Sequence, residues 1–408
     1  MGSYEDVSNK LQRFHQEQLL RYYEELDEAA GEGLLQQIRQ TDFSILDNMG
    51  GEGSVKRGEI TPLKAMTLDE IREKEGSYRE EGLQAIRRGE VGAVLLAGGM
   101  GTRLGSDDPK GMYNIGLTKE VYIFQRIIEN LLDVVKESGT WIHLFVMTSD
   151  KNHVSTTRFL KEHDYFGYQE DKIHFFMQEM APATDREGRI YLEEKDRLAT
   201  SPNGNGGWFV SMDRTGMLDI VKKEGIQWLN CFAVDNVLQR IADPVFVGAT
   251  IESGAAVGAK VVRKNAPDEK VGVMCLEDGK PSIVEYYELT DEMRDARGED
   301  GERLYNFGVI LNYLFRVDGL YRIMSEKMPL HKVEKKIPYI NEAGEKISPE
   351  APNGYKYETL ILDMIHEMGS CLPYEVVREK EFAPIKNKTG VDSVESAREL
   401  CKKNGISL

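Results

Sequence analysis

The sequence predicts an α/β fold with a mixed, mostly parallel sheet carrying helices on both faces. Two observations predict it. From Val91 onward, apolar runs of strand length alternate with polar stretches of helical spacing, the pattern of successive strand–helix–strand units. The strand-like runs also stop abruptly. Residues 91–96 stop at Ala97, Gly98 and Gly99, residues 173–177 at Gln178, and residues 228–234 at Asp235 and Asn236. In open parallel sheets ligands sit beyond the carboxyl ends of the strands, so these endings are the places to look for chemistry.

Taken in order, residues 1–90 are expected to be helical and mostly accessory. Apolar groups recur at three- and four-residue steps from Val7 to Tyr22, and Gly31 and Gly33 are expected to break the run. Leu34, Leu35, Ile38, Phe43, Ile45 and Leu46 suggest a second short helical segment, and residues 49–53 a glycine-rich loop. Thr67 and Glu70 have capping-box spacing and open a helix running towards Arg88. Strands are then expected at 91–96, 142–147, 173–177 and 228–234, with a helix around 156–162. The segments expected are an N-terminal helical extension (1–89), a core (90–375) and a short C-terminal piece (376–408).

The chain has 408 residues and a formal net charge of −17. Such a surface repels nucleic acid and anionic membranes, so an anionic ligand must be drawn in by a local basic pocket. Cys231, Cys275, Cys371 and Cys401 lie far apart. They fit buried thiols in a reducing cytoplasm better than a disulfide frame or zinc site. No apolar run approaches membrane length, no signal peptide is visible, and the seven scattered histidines form no metal-binding pair.

The stretch from Leu95 to Leu117, LLAGGMGTRLGSDDPKGMYNIGL, carries the strongest signal. Glycines after a strand can take φ > 0 and let bare N–H groups approach a phosphate or base, and Arg103 and Lys110 add two cations suited to polyphosphate. A plain glycine turn after a buried strand is the simpler explanation. The dinucleotide fingerprint is not met, because Gly105 falls one position late. A P-loop is not met either, because Gly111 follows Lys110 where Ser or Thr is required.

This run closely resembles the signature of eukaryotic-type UDP-sugar pyrophosphorylases, above all the UDP-N-acetylglucosamine branch, approximately L-A-G-G-x-G-T-R-L-G-x-x-x-P-K-G-M. Further matches follow in order: Gln178; the loop of Gly204, Asn205, Gly206 and Gly207; Val234, Asp235 and Asn236; residues 258–262; Gly272; Glu285 and Tyr286; Lys335, Lys336, Ile337, Pro338 and Tyr339; Lys356; and Phe382, Pro384, Lys386 and Asn387. The resemblance implies a Rossmann-like nucleotide-diphospho-sugar transferase (GT-A-like) core that makes UDP-sugar and pyrophosphate from UTP and a sugar 1-phosphate with Mg²⁺. It implies Arg103, Lys110 and Lys386 as catalytic cations. Leu96, Ala97, Gly98, Gly99, Lys110, Gln178, Gly204, Asp235 and Lys356 would meet the nucleotide, and Asp235 the metal. Asn205, Gly272, Glu285, Tyr286 and Lys386 would meet the sugar side.

Three places depart from the pattern. Ala233 stands where the family has Cys. In residues 306–313, Val309 replaces a sugar-contacting Asn and Tyr313 a His. Family members of eukaryotic length continue into a mostly β C-terminal domain. N-acetylglucosamine 1-phosphate is the first expectation for the sugar, with glucose or galactose 1-phosphate as the alternative. A nucleotide-sugar-binding sensor without turnover is the non-enzyme alternative, and a dehydrogenase a distant third.

Overall fold

The computed structural model describes residues 4–43, 45–46, 57–326 and 328–408; the expected loop at 49–53 lies outside them. Two compact units are interleaved along the chain. One comprises residues 57–178, 208–327 and 362–408, the other residues 1–56, 179–207 and 328–361.

The larger unit is built on a ten-stranded mixed sheet: β1 (Ile60–Pro62), β2 (Val91–Leu96), β3 (Leu144–Thr148), β4 (Ile173–Met177), β5 (Trp228–Ala233), β6 (Val257–Arg263), β7 (Val273–Glu277), β8 (Lys280–Val284), β9 (Phe307–Arg316) and β10 (Cys371–Glu375). The main path runs β1-β7-β9-β5-β2-β3-β4, with β6 bridging β9 to β10 and β8 flanking β7. The block β5-β2-β3-β4 is parallel throughout. Every residue of β2 and β3 is buried, as strands covered on both faces must be.

The helices follow from cap and stripe. Helix α1 (Leu68–Arg87) starts at the expected capping box, with Thr67 and Glu70 capping each other reciprocally. It lies against α2 (Pro244–Ser253) so closely that a Cβ on Gly82 would fall 1.9 Å from the Pro244 carbonyl oxygen. Although expected to be accessory, this helix belongs to the same unit as the sheet. The helices Ile123–Ser138 and His153–Glu162 follow β2 and β3, and the first buries Ile123, Phe124, Ile127, Ile128 and Leu131 along one stripe.

The smaller unit holds helices Tyr4–Arg13 and Glu28–Gln40. The expected break at Gly31 and Gly33 does not occur. Both lie inside the second helix, which Asp27 caps by accepting from the Ala30 amide. The chain turns instead at His15, which has φ 55°. This unit also contains a three-stranded sheet ordered His331–Lys335, Gly354–Glu358, Thr184–Asp185. All four cysteines are free. Among the described residues no helix is long and apolar enough to cross a membrane.

Candidate active site

The parallel block aligns four strand ends. Leu96 pairs with Ala233 on one side and Met147 on the other, and Thr148 pairs with Met177. Ala97, Ser149, Gln178 and Val234 therefore leave the sheet along one edge. From β2 the chain proceeds to β3 and β4 on one side and returns as β5 on the other. That makes β2 the switch point at which such sheets bind ligands.

The loop after β2 is held by backbone bonds. The Gly101 amide donates to Asp108 O (2.8 Å) and the Lys110 amide to Gly99 O (3.1 Å). Left-handed backbone in this loop falls on Gly105 (φ 78°) and not on Gly98, Gly99 or Gly101. The expectation of positive φ at those three is corrected: Gly105 ends the short helical turn Thr102–Leu104, and there the chain must reverse. Gly99 matters for another reason. A Cβ there would meet nothing within 4 Å, so its backbone is open to approach. A Cβ on Gly98 would lie 3.3 Å from Gln178 Oε1 and 3.7 Å from Ser149 Cβ, which puts the Gln178 amide group against the glycine loop.

Sequence reasoning missed Asn152. Its Oδ1 accepts from the Ser149 amide (2.8 Å), and its Nδ2 donates to Ala97 O (2.9 Å). Almost completely buried, it ties the loop after β2 to the loop after β3. An Asn in a turn is too ordinary for its position alone to have revealed this.

Lys110 is half-buried. Burial is the main cause that lowers its pKa; Arg103 and Lys386 push the same way, and Asp235 opposes them. These four side chains therefore share one electrostatic neighbourhood. Lys386 arrives there because residues 382–387 are stitched to the loop after β5. Asn236 Nδ2 donates to Glu381 O (2.8 Å) and its Oδ1 accepts from the Ala383 amide (2.9 Å), while the Ile385 amide donates to Asp235 O (2.9 Å). Lys386 Nζ also pairs with Asp392 at 3.1 Å, a partner that sequence reasoning did not name.

On the other side of the sheet, a Cβ on Gly272 would lie 3.3 Å from Glu285 Oε1, and the Val309 amide donates to Gly272 O (2.9 Å). Gly272, Glu285 and Val309 therefore meet. Glu285 and Tyr286 lie just past β8, in a turn. The Glu285 pKa is raised by burial and then by Glu288, with Arg57 opposing. Beyond Val309, Leu311 takes φ 51°, where the pairing of β9 with β6 shifts register, a bulge of the kind that re-aims side chains near sites. Tyr313 is fully buried, and burial drives its pKa far up. Lys260, inside the matched run 258–262, is also fully buried. It pairs with Glu381 (2.5 Å) and Asp243 (3.6 Å), so it acts as an internal counter-charge.

Gly204, Asn205 and Lys356 belong to the smaller unit. Gly204 has φ 87°, and a Cβ there would fall 2.2 Å from Thr359 O; only glycine fits. Asn205 Oδ1 accepts from the Ile361 amide (3.0 Å). Lys356 lies on the strand Gly354–Glu358, paired with Val333, two residues before the Glu358 side chain that Gly204 approaches.

A family model described as UTP–glucose-1-phosphate uridylyltransferase matches residues 41–405. The chain belongs to that family. Its relatives within the wider group include the mouse (Mus musculus) UDP-N-acetylhexosamine pyrophosphorylase-like protein 1, 36% identical over 96% of this chain and 82% of the relative. The UDP-N-acetylglucosamine pyrophosphorylase of Saccharomyces cerevisiae is 36% identical over 97% of this chain and 86% of its own length. Among solved structures, the Trypanosoma brucei uridine diphosphate N-acetylglucosamine pyrophosphorylase in complex with inhibitor superposes with a TM-score of 0.79 at 29% identity, covering 98% of this chain and 85% of that one. Family membership and this superposition agree with the α/β fold expected from the strand pattern and with the nucleotide-diphospho-sugar transferase core that the resemblance implies.

Proposed function

We propose that the protein is a UTP:sugar-1-phosphate uridylyltransferase that makes UDP-N-acetylglucosamine and pyrophosphate from UTP and N-acetylglucosamine 1-phosphate in the cytoplasm. One observation carries this reading: Lys110, Arg103, Lys386 and Asp235 share a neighbourhood at the carboxyl edge of the parallel strands. In a chain of net charge −17, three cations beside Asp235, with Asp392 on the Lys386 ammonium, make a local basin for polyphosphate.

The chemistry requires no protein nucleophile. An oxygen of the sugar phosphate forms a bond to the α-phosphorus of UTP, and the bond from that phosphorus to the bridging oxygen breaks, releasing pyrophosphate. Such transfers depend on alignment and charge neutralisation. Lys110 and Arg103 offset charge on the triphosphate, Lys386 holds the attacking phosphate, and Lys356 steadies the nucleotide phosphates. Leu96, Ala97, Gly98 and Gly99, the Gln178 amide group, Gly204 and Asp235 meet the nucleotide. Asn205, Gly272, Glu285 and Tyr286 receive the sugar.

No group of three or more His, Cys, Asp or Glu suited to a metal occurs among the described residues. The lone Asp235 carboxylate at a strand end fits Mg²⁺, a hard cation commonly held by one or two carboxylates together with substrate phosphates. When bound, it would offset phosphate charge. The division into a helical extension (1–89), a catalytic core (90–375) and a C-terminal segment carrying Lys386 is likewise proposed as a division by role.

Val309, beside Gly272, favours a second reading in which glucose or galactose 1-phosphate is preferred, since an apolar side chain there leaves an acetamido group without a partner. Pyrophosphate release from UTP with a panel of sugar 1-phosphates tests both readings. N-acetylglucosamine 1-phosphate is expected to give the highest kcat/KM. Nucleotide-sugar binding without pyrophosphate release from any sugar would overturn the enzyme reading in favour of a sensor.

A further inference from the structure

We propose that Arg57 is a positioning residue for sugar recognition: with Glu288 it fixes the Glu285 carboxylate against Gly272, and so sets affinity for the sugar 1-phosphate but not for UTP. The inference rests on the proposed function, in which Glu285 meets the sugar.

The geometry is that of a clamp. Arg57 Nε donates to Glu288 Oε1 (3.0 Å) and Nη2 to Glu288 Oε2 (2.9 Å), a bidentate fork. Nη1 donates to Glu277 Oε2 (2.7 Å) and Ser282 Oγ (3.2 Å), and Nη2 also to Ile283 O (2.8 Å). All five N–H donors of the guanidinium thus find acceptors on the β7–β8 hairpin and the turn after it. Only the planar fork can do this; a lysine has three donors on one point.

The far end of the clamp is Glu285. Glu288 Oε2, held by Arg57, also accepts from the Glu285 amide (2.9 Å), and the Glu288 amide donates to Glu285 O (2.9 Å). The turn from 285 to 288 is closed from both ends, and the Glu285 carboxylate is left beside Gly272. Arg57 binds Glu277 and Glu288 together, and without it Glu288 would face Glu285 without that counter-charge. The groups within electrostatic reach of the Glu285 carboxylate are Glu288, Arg57, Tyr287 and Tyr313. Of these, Arg57 alone favours its charged form. The Arg57 hydrogen bonds go to Glu277, Ser282, Ile283 and Glu288 and to no residue of the loop after β2.

Steady-state kinetics on the full chain, with the preferred sugar 1-phosphate, test this in Arg57→Met, Arg57→Lys and Glu285→Gln. Arg57→Met is expected to raise KM for the sugar 1-phosphate about tenfold or more and to leave KM for UTP within about twofold. It should also move the acid limb of kcat/KM for the sugar to higher pH, because Glu285 loses its cation. Arg57→Lys should recover part of both effects and carries the comparison if the Met variant does not fold. Equal changes in both KM values, or an unmoved acid limb, would reduce Arg57 to a structural brace and overturn the inference. Glu285→Gln separates the two levels. If it leaves KM for the sugar unchanged, the assignment of Glu285 to the sugar fails; if it raises KM while both Arg57 variants are silent, only the clamp fails.

Discussion

Lys110→Met separates the catalytic use of a buried cation from its cost to the fold. In the free protein, burial together with Arg103 and Lys386 holds the Lys110 pKa below its usual 10.5, and only Asp235 pulls it back. A charge-assisted hydrogen bond to phosphate contributes about 1.5–3 kcal/mol, and donors aimed at transition-state charge about 2.7–4 kcal/mol. The variant should therefore lose about 10²–10³ in kcat/KM for UTP, measured by pyrophosphate release. Its stability should not fall. Between the lowered folded pKa and 10.5 the unfolded chain binds the proton more readily, so stability rises with pH across that window. At neutral pH the lysine is charged in both states and its penalty to the folded state is fully present. Removing the charge should leave Tm unchanged or raise it. In the wild-type protein, the basic limb of kcat/KM, which reports the free enzyme, should lie at lower pH than that of kcat, because bound phosphates raise the pKa of the lysine again. A variant that kept kcat/KM within about threefold of wild type would refute the central role of Lys110. A large fall in its Tm would show that the charge is needed for folding.

Three other outcomes follow from the same geometry. Asp235→Asn should raise the Mg²⁺ concentration needed for half-maximal turnover while leaving Tm within a degree or two; an unchanged Mg²⁺ dependence would remove Asp235 as the metal ligand. Gly111→Ala and Gly99→Ala should part company. A Cβ on Gly111 would fall 2.3 Å from the Phe124 ring and one on Gly99 meets nothing within 4 Å, so denaturant melts should show a loss of about 1–3 kcal/mol for the first and none for the second, whose defect should appear in KM for UTP. His174, stacked on His143, has its pKa pushed down to about 4 by burial and then by His143 and Lys172, against an ordinary 6.5. Between those values the unfolded state takes up the proton, so acid destabilises the fold, and His174→Gln should flatten the fall in urea midpoint between pH 7 and pH 5.

How much of this was legible in the sequence depends on how local each determinant is. The strand endings at Leu96, Met177 and Ala233 could be read because each follows from its own apolar run and the glycines or polar residues that stop it, and parallel pairing then carries all of them to one edge. The capping box at Thr67 was legible for the same reason. The break expected at Gly31 was not there, since a glycine weakens a helix by only about 1 kcal/mol and the Asp27 cap, together with burial of Leu34, Leu35 and Ile38, outweighs that. Left-handed backbone in the glycine loop fell on Gly105 because the turn ends there, a matter of geometry that composition does not carry. Lys386 is the hardest case. No periodicity near residue 386 points to strand β5, and bottom-up reasoning saw a lone surface lysine until a resemblance singled it out. What brings it beside Lys110 is the loop after β5: the Asn236 amide spans two backbone groups, Glu381 O and the Ala383 amide, the Ile385 amide donates to Asp235 O, and Lys260 holds the Glu381 carboxylate. Asn236 is fully buried and holds this segment with both ends of its amide, so the position of Lys386 depends in part on a residue that never needs to touch a phosphate.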